Sequence, residues 1–197
     1  MKQDARVLAK DVTHFAFDSD GCLFSNIVWE GVSLTFGRRR FVIKPKLRSF
    51  YDGQGVSLMR ELGIRICVIT NEKGDNAQGV RATVEKWNSL PSCSEGRWPR
   101  VELFEGCGGP RKLLTLEGWL QQSDGVLGRC GAMGDDLVDV PMLRAVRFSA
   151  APASAEEAIK SLCHFVTKRA GGEGAVRDVA NFFVEVHGKN PLELPFE

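Results

Sequence analysis

The stretch THFAFDSDG, at residues 13–21, joins a short apolar run to two carboxylates and a glycine. Residues 13–18 are short, apolar and aromatic in character, which predicts a buried strand. The glycine after Asp20 predicts a tight turn. A strand that ends in a carboxylate and turns at once is typical of a parallel sheet, where ligands bind beyond the carboxyl ends of the strands.

Outward from this stretch, short apolar segments alternate with helical patterns, which predicts an α/β fold with a parallel sheet flanked by helices. Further strands are predicted at residues 65–70, 101–106, 129–134 and, for a short one, 165–168. Helices are predicted around residues 53–63, 74–88, 111–122, 135–146, 154–162 and 175–187. The length suits one domain, so we expect a single domain over residues 1–197.

Residues 26–44 interrupt this alternation, because they are rich in β-branched and aromatic residues with Gly31 and Gly37 as turn candidates. We predict a β-hairpin inserted after the first strand. Its apolar side chains are Ile27, Val28, Trp29, Leu34, Phe36, Phe41, Val42 and Ile43. An exposed apolar surface of this kind normally needs a partner, which predicts a homotetramer. Residues 89–100 read as a polar loop.

Composition excludes some partners. Lys and Arg total 26 against 25 Asp and Glu, so no strong field favours nucleic acid or an anionic membrane. No apolar run reaches the roughly 20 residues that span a bilayer, and the N-terminus has no apolar core of a secretory signal. The six cysteines are scattered without a CxxC pair. We expect a cytoplasmic protein with reduced thiols that binds neither nucleic acid nor membrane.

Polar residues follow four of the predicted strands, at the edge where ligands bind. They are Asp18 and Asp20, then Thr70 and Asn71, then Lys112, then Asp135, Asp136 and Asp139. Carboxylates that converge in one site repel each other unless a cation neutralises them, and Mg²⁺ is a hard ion that prefers oxygen ligands. The combination predicts phosphoryl transfer from a monoester.

In this chemistry Asp18 is the nucleophile, because it emerges directly from a rigid strand. Asp20, two residues further on, is placed to act as general acid and then as general base. Lys112 and the Thr70 hydroxyl are placed to hold the phosphoryl oxygens.

The sequence also resembles a known superfamily. The motifs DSDG (18–21), Thr70 at a strand end, Lys112 and GDDLVD (134–139) resemble those of the haloacid dehalogenase (HAD) phosphatases, in the expected order. Within it, residues 51–70, 134–146 and 166–183 look like the 3-deoxy-D-manno-octulosonate 8-phosphate phosphatase family and its sialic-acid-pathway relatives, including the HAD domain of acylneuraminate cytidylyltransferases. This resemblance implies a HAD-type sheet without a large cap domain, and tetramers in which neighbours help to close the active site.

The resemblance further implies a Mg²⁺ site made of the Asp18 carboxylate, the Asp20 carbonyl and the Asp135 carboxylate. Asp136 would then lie next to these ligands without binding the ion itself. Gly21 and Asn71 are expected to contact the substrate beside Lys112. The sequence departs from the family at residues 71–74, NEKG, and after Gly21, which leaves the identity of the substrate open.

Several of these residues have a second interpretation. Asp135 and Asp136 are typical of helix N-termini, and Asp139 fits a solvated or helix-bracing position as well as a site. Lys112 could lie on a solvated helix face, and Thr70 could simply end a strand. The GGEG loop at residues 171–174 reads as a turn before a helix or as a phosphate cradle.

We therefore predict a Mg²⁺-dependent phosphomonoesterase acting on an acidic keto-sugar phosphate through an aspartyl-phosphate intermediate. The substrate would be 3-deoxy-D-manno-octulosonate 8-phosphate or a nonulosonate 9-phosphate. The alternatives are a HAD phosphatase of other or broad specificity and a non-catalytic HAD module that serves assembly in sialic acid metabolism.

Overall fold

A six-stranded parallel sheet forms the centre of the protein. The computed structural model describes residues 4–28, 33–42 and 45–194. In chain order the strands are β1 His14–Asp18, β2 Ser33–Phe36, β3 Arg39–Val42, β4 Arg65–Ile69, β5 Glu102–Phe104, β6 Cys130–Met133, β7 Phe148–Ala151 and β8 Phe165–Val166. The sheet has the order β5-β4-β1-β6-β7-β8, and each neighbouring pair is parallel. The predicted fold class is confirmed.

Strand β1 lies between β4 and β6, and every one of its residues is buried. Asp18 pairs with Ile69 of β4, and Phe17 pairs with Met133 of β6. Because these strands are parallel, the residues that follow Ile69 and Met133 emerge at the same edge of the sheet as Asp18.

Helices cover both faces of the sheet. They are α1 Ala5–Ala9, α2 Phe50–Glu61, α3 Gln78–Asn88, α4 Pro91–Ser94, α5 Pro110–Gln122, α6 Val140–Ala145, α7 Glu157–Leu162 and α8 Ala175–Val186. Side chains of β1 alternate between the faces, as a strand requires. Phe15 and Phe17 pack with apolar residues of α2, α3 and α8, whereas Ala16 packs with those of α5, α6 and α7. Within the described ranges, none of the helices has the length and apolarity that crossing a bilayer demands.

The predicted hairpin is present as β2 and β3, which pair antiparallel from Ser33 with Val42 to Phe36 with Arg39. Gly37 makes the turn with a φ of +61°. Ile27 and Val28, just before the hairpin, are both exposed. Outside the described part of the chain lie Trp29, Gly31 and Ile43, together with the side chains of Leu34, Phe36, Phe41 and Val42.

Helix α8 begins against helix α2. A Cβ on Gly55 of α2 would lie 3.0 Å from the Cα of Arg177, so the two backbones approach closely. Asp52, also on α2 and fully buried, accepts a hydrogen bond from the backbone N–H of Arg177 at 3.0 Å and another from that of Val176. Asp52 therefore caps the first turn of α8 from a neighbouring helix. Burial nevertheless raises the pKa of Asp52 to about 6.

Strand β7 was not predicted. Its sequence, FSAA, is short and half alanine, so it carries no strong strand pattern. The strand forms because β6 and β8 provide hydrogen-bonding partners on both sides, which is tertiary context that local sequence does not contain.

The prediction of a polar loop at residues 89–100 is wrong in part, since the segment contains α4 and a buried tryptophan. The Trp98 indole nitrogen donates to the Glu61 carboxylate at 2.6 Å, and the Arg60 guanidinium lies 5.1 Å from the Trp98 ring centroid. Arg60 also donates to the carbonyl of Pro99 at 2.9 Å. The segment therefore packs on the C-terminal end of α2.

Candidate active site

The turn after β1 is closed by its own backbone. The Phe24 amide donates to the Ser19 carbonyl at 2.9 Å, and the Gly21 amide donates to the Phe24 carbonyl at 2.8 Å. Gly21 has a φ of +87°, and a Cβ there would lie 1.9 Å from a carboxylate oxygen of Asp135. Gly21 was predicted to contact the substrate. Its amide is engaged within the turn, and the absence of a side chain leaves room for Asp135, so contact with the substrate stays a prediction.

The GGEG loop at residues 171–174 packs its backbone against the backbone of this turn. A Cβ on Gly171 would lie 1.6 Å from the Gly21 carbonyl oxygen, and the Gly172 amide donates to the Cys22 carbonyl at 3.1 Å. Helix α8 begins directly after Gly174. The loop is thus the turn before a helix, and its glycines are needed because two backbones meet there.

Lys112 of α5 lies inside the protein rather than on a solvated helix face, with 1% of its surface exposed. Its ammonium donates to Asp18 at 2.6 Å and to Asp139 at 2.5 Å. Burial alone lowers the pKa of Lys112, but the two carboxylates together outweigh it and raise that pKa above its usual value. Lys112 is therefore a fixed positive charge beside Asp18.

Asp139 belongs to the site, although its sequence position left this open. It is fully buried, and its second carboxylate oxygen accepts from the backbone N–H of Asp135 at 3.0 Å and of Asp136 at 3.3 Å. It thus orients both Lys112 and the loop that carries Asp135. Asp136 is exposed, and its carboxylate accepts from the Leu137 amide at 2.6 Å, which is a capping role. In the sequence, the Asp-x-x-Asp spacing of residues 136 and 139 is the pattern of a capping box, which indicates that the Asp139 side chain turns back to the start of the helix.

The buried carboxylates of Asp18 and Asp139 both contact the Lys112 ammonium, and the buried carboxylate of Asp135 lies beside them. Burial, aided by the neighbouring Asp139 charge, raises the pKa of Asp18 to about 8 and that of Asp135 to about 7, even though Lys112 lowers both. Burial and the Asp135 charge also raise the pKa of the Cys22 thiol well above its usual value. The cluster has an excess of negative charge that a bound cation would offset.

Asp18 and Asp135 also have the geometry of cation ligands. A carboxylate oxygen of each and the Cys22 sulfur lie within 4.8 Å of one another, and all three residues are buried. Carboxylate oxygens are suitable ligands for Mg²⁺, whereas a neutral thiol is not. The residues present therefore fit an oxygen-liganded divalent cation between Asp18 and Asp135.

Asp20 points toward the opening of the site, with about a third of its side chain exposed. Both of its carboxylate oxygens accept hydrogen bonds from the Lys46 ammonium, at 2.6 and 2.7 Å. Lys46 follows the hairpin and was not among the predicted site residues. No local signal could have found it, because 26 residues separate it from Asp20.

Thr70 and Asn71 follow β4 directly, at the same edge of the sheet as Asp18. Thr70 is buried, and its hydroxyl accepts from the Glu72 amide at 3.1 Å, while its carbonyl accepts from the Cys107 amide at 2.8 Å. Asn71 is exposed and lines a cleft of about 370 Å³. The other residues lining this cleft are Gly106, Gly108, Gly109, Arg111 and Val138. Three of the lining residues, Asn71, Arg111 and Val138, are thus adjacent in sequence to Thr70, Lys112 and Asp139.

Known proteins resemble this chain over most of its length. The 3-deoxy-D-manno-octulosonate 8-phosphate phosphatase of Escherichia coli is 24% identical over 188 residues, which cover 94% of this chain and 86% of that protein. The Salmonella typhi protein of the same name is 25% identical over 183 residues, or 92% of this chain and 84% of the relative.

Solved structures show the same fold. The Yersinia pestis 3-deoxy-D-manno-octulosonate 8-phosphate phosphatase superposes with a TM-score of 0.77 at 21% identity, covering 100% of this chain and 93% of that one. The Moraxella catarrhalis enzyme, solved in complex with a magnesium ion, a phosphate ion and a KDO molecule, has a TM-score of 0.73 at 22% identity, covering 94% and 93%.

The family model of the haloacid dehalogenase-like hydrolases matches residues 63–179, a range that contains Thr70, Lys112 and Asp135. With these relatives, the match confirms the prediction of an enzyme that is a phosphoric monoester hydrolase. Since the matched range is more than half of the 197 residues, the chain belongs to the haloacid dehalogenase-like hydrolases.

Proposed function

We propose that this protein is a Mg²⁺-dependent phosphatase of an acidic keto-sugar phosphate, with Asp18 as the nucleophile. The observation that carries the proposal is the buried cluster in which Lys112 bridges Asp18 and Asp139 beside Asp135. A non-catalytic module would have no need to bury this excess of negative charge. The complete set of residues therefore favours an enzyme over an assembly module.

The Asp18 and Asp135 carboxylates, with the carbonyl of Asp20, would hold the Mg²⁺ ion. When bound, Mg²⁺ supplies positive charge that keeps Asp18 ionised and shields it from the anionic phosphoryl group. Burial raises the pKa of Asp18, and this favours the protonated carboxyl, which is a poor nucleophile.

The protein's own residues account for the remaining steps. An Asp18 oxygen attacks phosphorus while the ester P–O bond breaks, and Asp20 gives its proton to the leaving oxygen. Water then attacks the phosphoryl group on Asp18, gives a proton to Asp20, and releases phosphate together with the free Asp18 carboxylate. Lys112 stays charged throughout and, with the Thr70 hydroxyl, stabilises the phosphoryl oxygens.

The cleft beside Asn71 is the proposed place of the sugar. Its volume of about 370 Å³ falls in the range of small-molecule sites. Arg111 lines it and offers a guanidinium to a substrate carboxylate. The phosphatases that resemble this chain are named for 3-deoxy-D-manno-octulosonate 8-phosphate, which has such a carboxylate, and this supports that compound or a nonulosonate 9-phosphate as substrate.

The predictions of one domain over residues 1–197, of a homotetramer and of a cytoplasmic location remain part of this proposal. The exposed Ile27 and Val28 at the base of the hairpin support an interface there. Light scattering at micromolar concentration tests the tetramer, and a monomer would contradict it.

The test of function is phosphate release with Mg²⁺ and with EDTA. The substrates would be octulosonate 8-phosphate, nonulosonate 9-phosphates, hexose phosphates and p-nitrophenyl phosphate, with Asp18→Asn as the inactive control. Strong Mg²⁺-dependent preference for one keto-acid sugar phosphate is the expected result. Similar slow turnover of all would keep the phosphatase and reject the substrate, while no turnover by folded, Mg²⁺-loaded protein would favour the assembly module.

A further inference from the structure

Lys46 connects three loops at the opening of the site. Its ammonium lies 2.6 and 2.7 Å from the two Asp20 oxygens and 4.0 Å from a Glu72 oxygen. The Phe24 ring centroid lies 5.8 Å from the same nitrogen. Only 18% of the Lys46 side chain is exposed. The ammonium is thus held between the loop after β1 and the loop after β4.

This ion pair differs from an ordinary surface salt bridge. Most exposed pairs contribute little to stability, because solvent screens them and both side chains lose freedom. Here the lysine is largely buried and both oxygens of one carboxylate are engaged, which fixes the carboxylate as well as attracting it. Among the described residues, Lys46 is the side chain that holds both Asp20 oxygens.

Orientation of this carboxylate matters if Asp20 is the general acid. The acid must lie within hydrogen-bonding distance of the leaving oxygen, and a displacement of about 1 Å can cost about 100-fold in rate. A partly exposed aspartate on a loop would otherwise sample several rotamers.

We propose that Lys46 is a positioning residue that holds Asp20 in place for proton transfer to the leaving group. The inference rests on the proposed function, in which Asp20 gives its proton to the leaving oxygen as the P–O bond breaks. Lys46 keeps all of its own protons in this step. For leaving groups that depart without a proton, kcat/KM should therefore not depend on Lys46.

The experiment compares phenyl phosphates whose substituents range from nitro to methoxy. These esters are similar in size, but the phenolate leaving groups differ in basicity, so they differ in their need for a proton. The quantity measured is kcat/KM, which covers the steps up to departure of the leaving group. The variants are Lys46→Met, Lys46→Arg and, as a matched control, Lys10→Met, because Lys10 is an exposed lysine that follows α1.

For Lys46→Met we expect kcat/KM to fall about 10- to 100-fold with the methoxyphenyl ester and less than about threefold with the nitrophenyl ester. The slope of log kcat/KM against leaving-group pKa should become steeper in Lys46→Met. Lys46→Arg should return the slope most of the way to the wild-type value, and Lys10→Met should leave it at that value. Thermal unfolding of each variant shows whether it is folded.

An equal loss for all esters would overturn the inference, since a role in folding or in phosphate binding would act on every ester alike. An unchanged slope in a folded Lys46→Met variant would also overturn it, and in both cases the proposed function would stand if the wild-type protein is active. Wild-type protein that releases no phosphate from any ester would overturn the proposed function and this inference together.

Discussion

Asp52 in one region of the protein, and Asp18 and Asp135 beside Lys112 in another, are buried carboxyl groups, and burial raises the pKa of each. Asp52 accepts hydrogen bonds from the first turn of α8 and serves the packing of two helices. Asp18 and Asp139 contact one ammonium, with Asp135 beside them, at the edge of the sheet where ligands bind. A single buried carboxylate is accommodated by backbone amides, whereas three in one place carry more negative charge than the Lys112 ammonium offsets.

The difference shows how a pKa shift is to be interpreted. At Asp52 the partner groups are backbone amides, so the shift concerns stability and its dependence on pH. At Asp18 the neighbours are ionisable side chains at an open edge, so the shift indicates a functional site. Substitution of aspartate by asparagine should therefore remove activity at position 18, whereas at position 52 it should keep activity and change how stability depends on pH.

Asp18→Asn should have the largest effect. An amide is not a nucleophile for phosphorus, so we expect kcat/KM for p-nitrophenyl phosphate to fall by more than about 1000-fold. Asp52→Asn is the matched control and should keep activity within about threefold. Thermal unfolding should find Asp18→Asn folded, because the substitution relieves repulsion in the cluster. Comparable activity losses in both variants would break the distinction between the two sites.

Gly21→Ala should combine backbone strain with a direct clash. Gly63→Ala is a suitable control, since Gly63 has a φ of +79° with no atom within 4 Å of the added Cβ. Strain alone should cost Gly63→Ala about 1–2 kcal/mol. Gly21→Ala should cost more, because its Cβ meets the Asp135 carboxylate, and it should lose about 100-fold in activity. Equal unfolding free energies and full activity would contradict the packing described here.

Asp52→Asn should change how stability depends on pH. The pKa of Asp52 in the folded protein is about 6, above the 3.8 of an unperturbed aspartate, so between pH 4 and 6 the unfolded chain ionises first. The free energy of unfolding of the wild type should therefore fall as pH rises through this window, by up to about 3 kcal/mol relative to Asp52→Asn. Urea unfolding at pH 4, 5, 6 and 7 measures it, and parallel curves for the two proteins would refute it.

Mg²⁺ should stabilise the wild type, by an amount smaller than the pH effect at Asp52. At a concentration of 100 times its Kd, a ligand that binds only the folded state adds about 2.7 kcal/mol. We expect Mg²⁺ to raise the Tm of the wild type and of Asp52→Asn, but not that of Asp135→Asn. A Tm of Asp135→Asn that rises as much as that of the wild type would show that the cluster is not the cation site.

The sequence predicted best what local patterns determine. Asp18 stands at the end of an apolar strand that was predicted, and the two strands that flank it, β4 and β6, were predicted as well. Asp139 stayed ambiguous because an aspartate one turn into a helix fits a cap, a solvated face or a site equally well. Only its burial against Lys112 decides between them.

Contacts between distant segments could not be predicted. Lys46 lies 26 residues from Asp20, and Asp52 lies 125 residues from Arg177, so no periodicity links either pair. Trp98 stands in a segment of Pro, Gly and polar residues that is typical of a loop, and its burial depends on Glu61 and Arg60 of another helix. Such pairs follow from how the helices pack on the sheet.

The central claim, that Asp18 carries the phosphoryl group, can be tested on the protein chemically. Asp20→Asn with Mg²⁺ and p-nitrophenyl phosphate should accumulate the intermediate, because nitrophenolate leaves without a proton while the base for hydrolysis is absent. After an acid quench, borohydride reduces an acyl phosphate to an alcohol, and peptide mass spectrometry locates it. The account predicts homoserine at position 18. Reduction at another carboxylate, or nitrophenol release with no reduced residue, would contradict it.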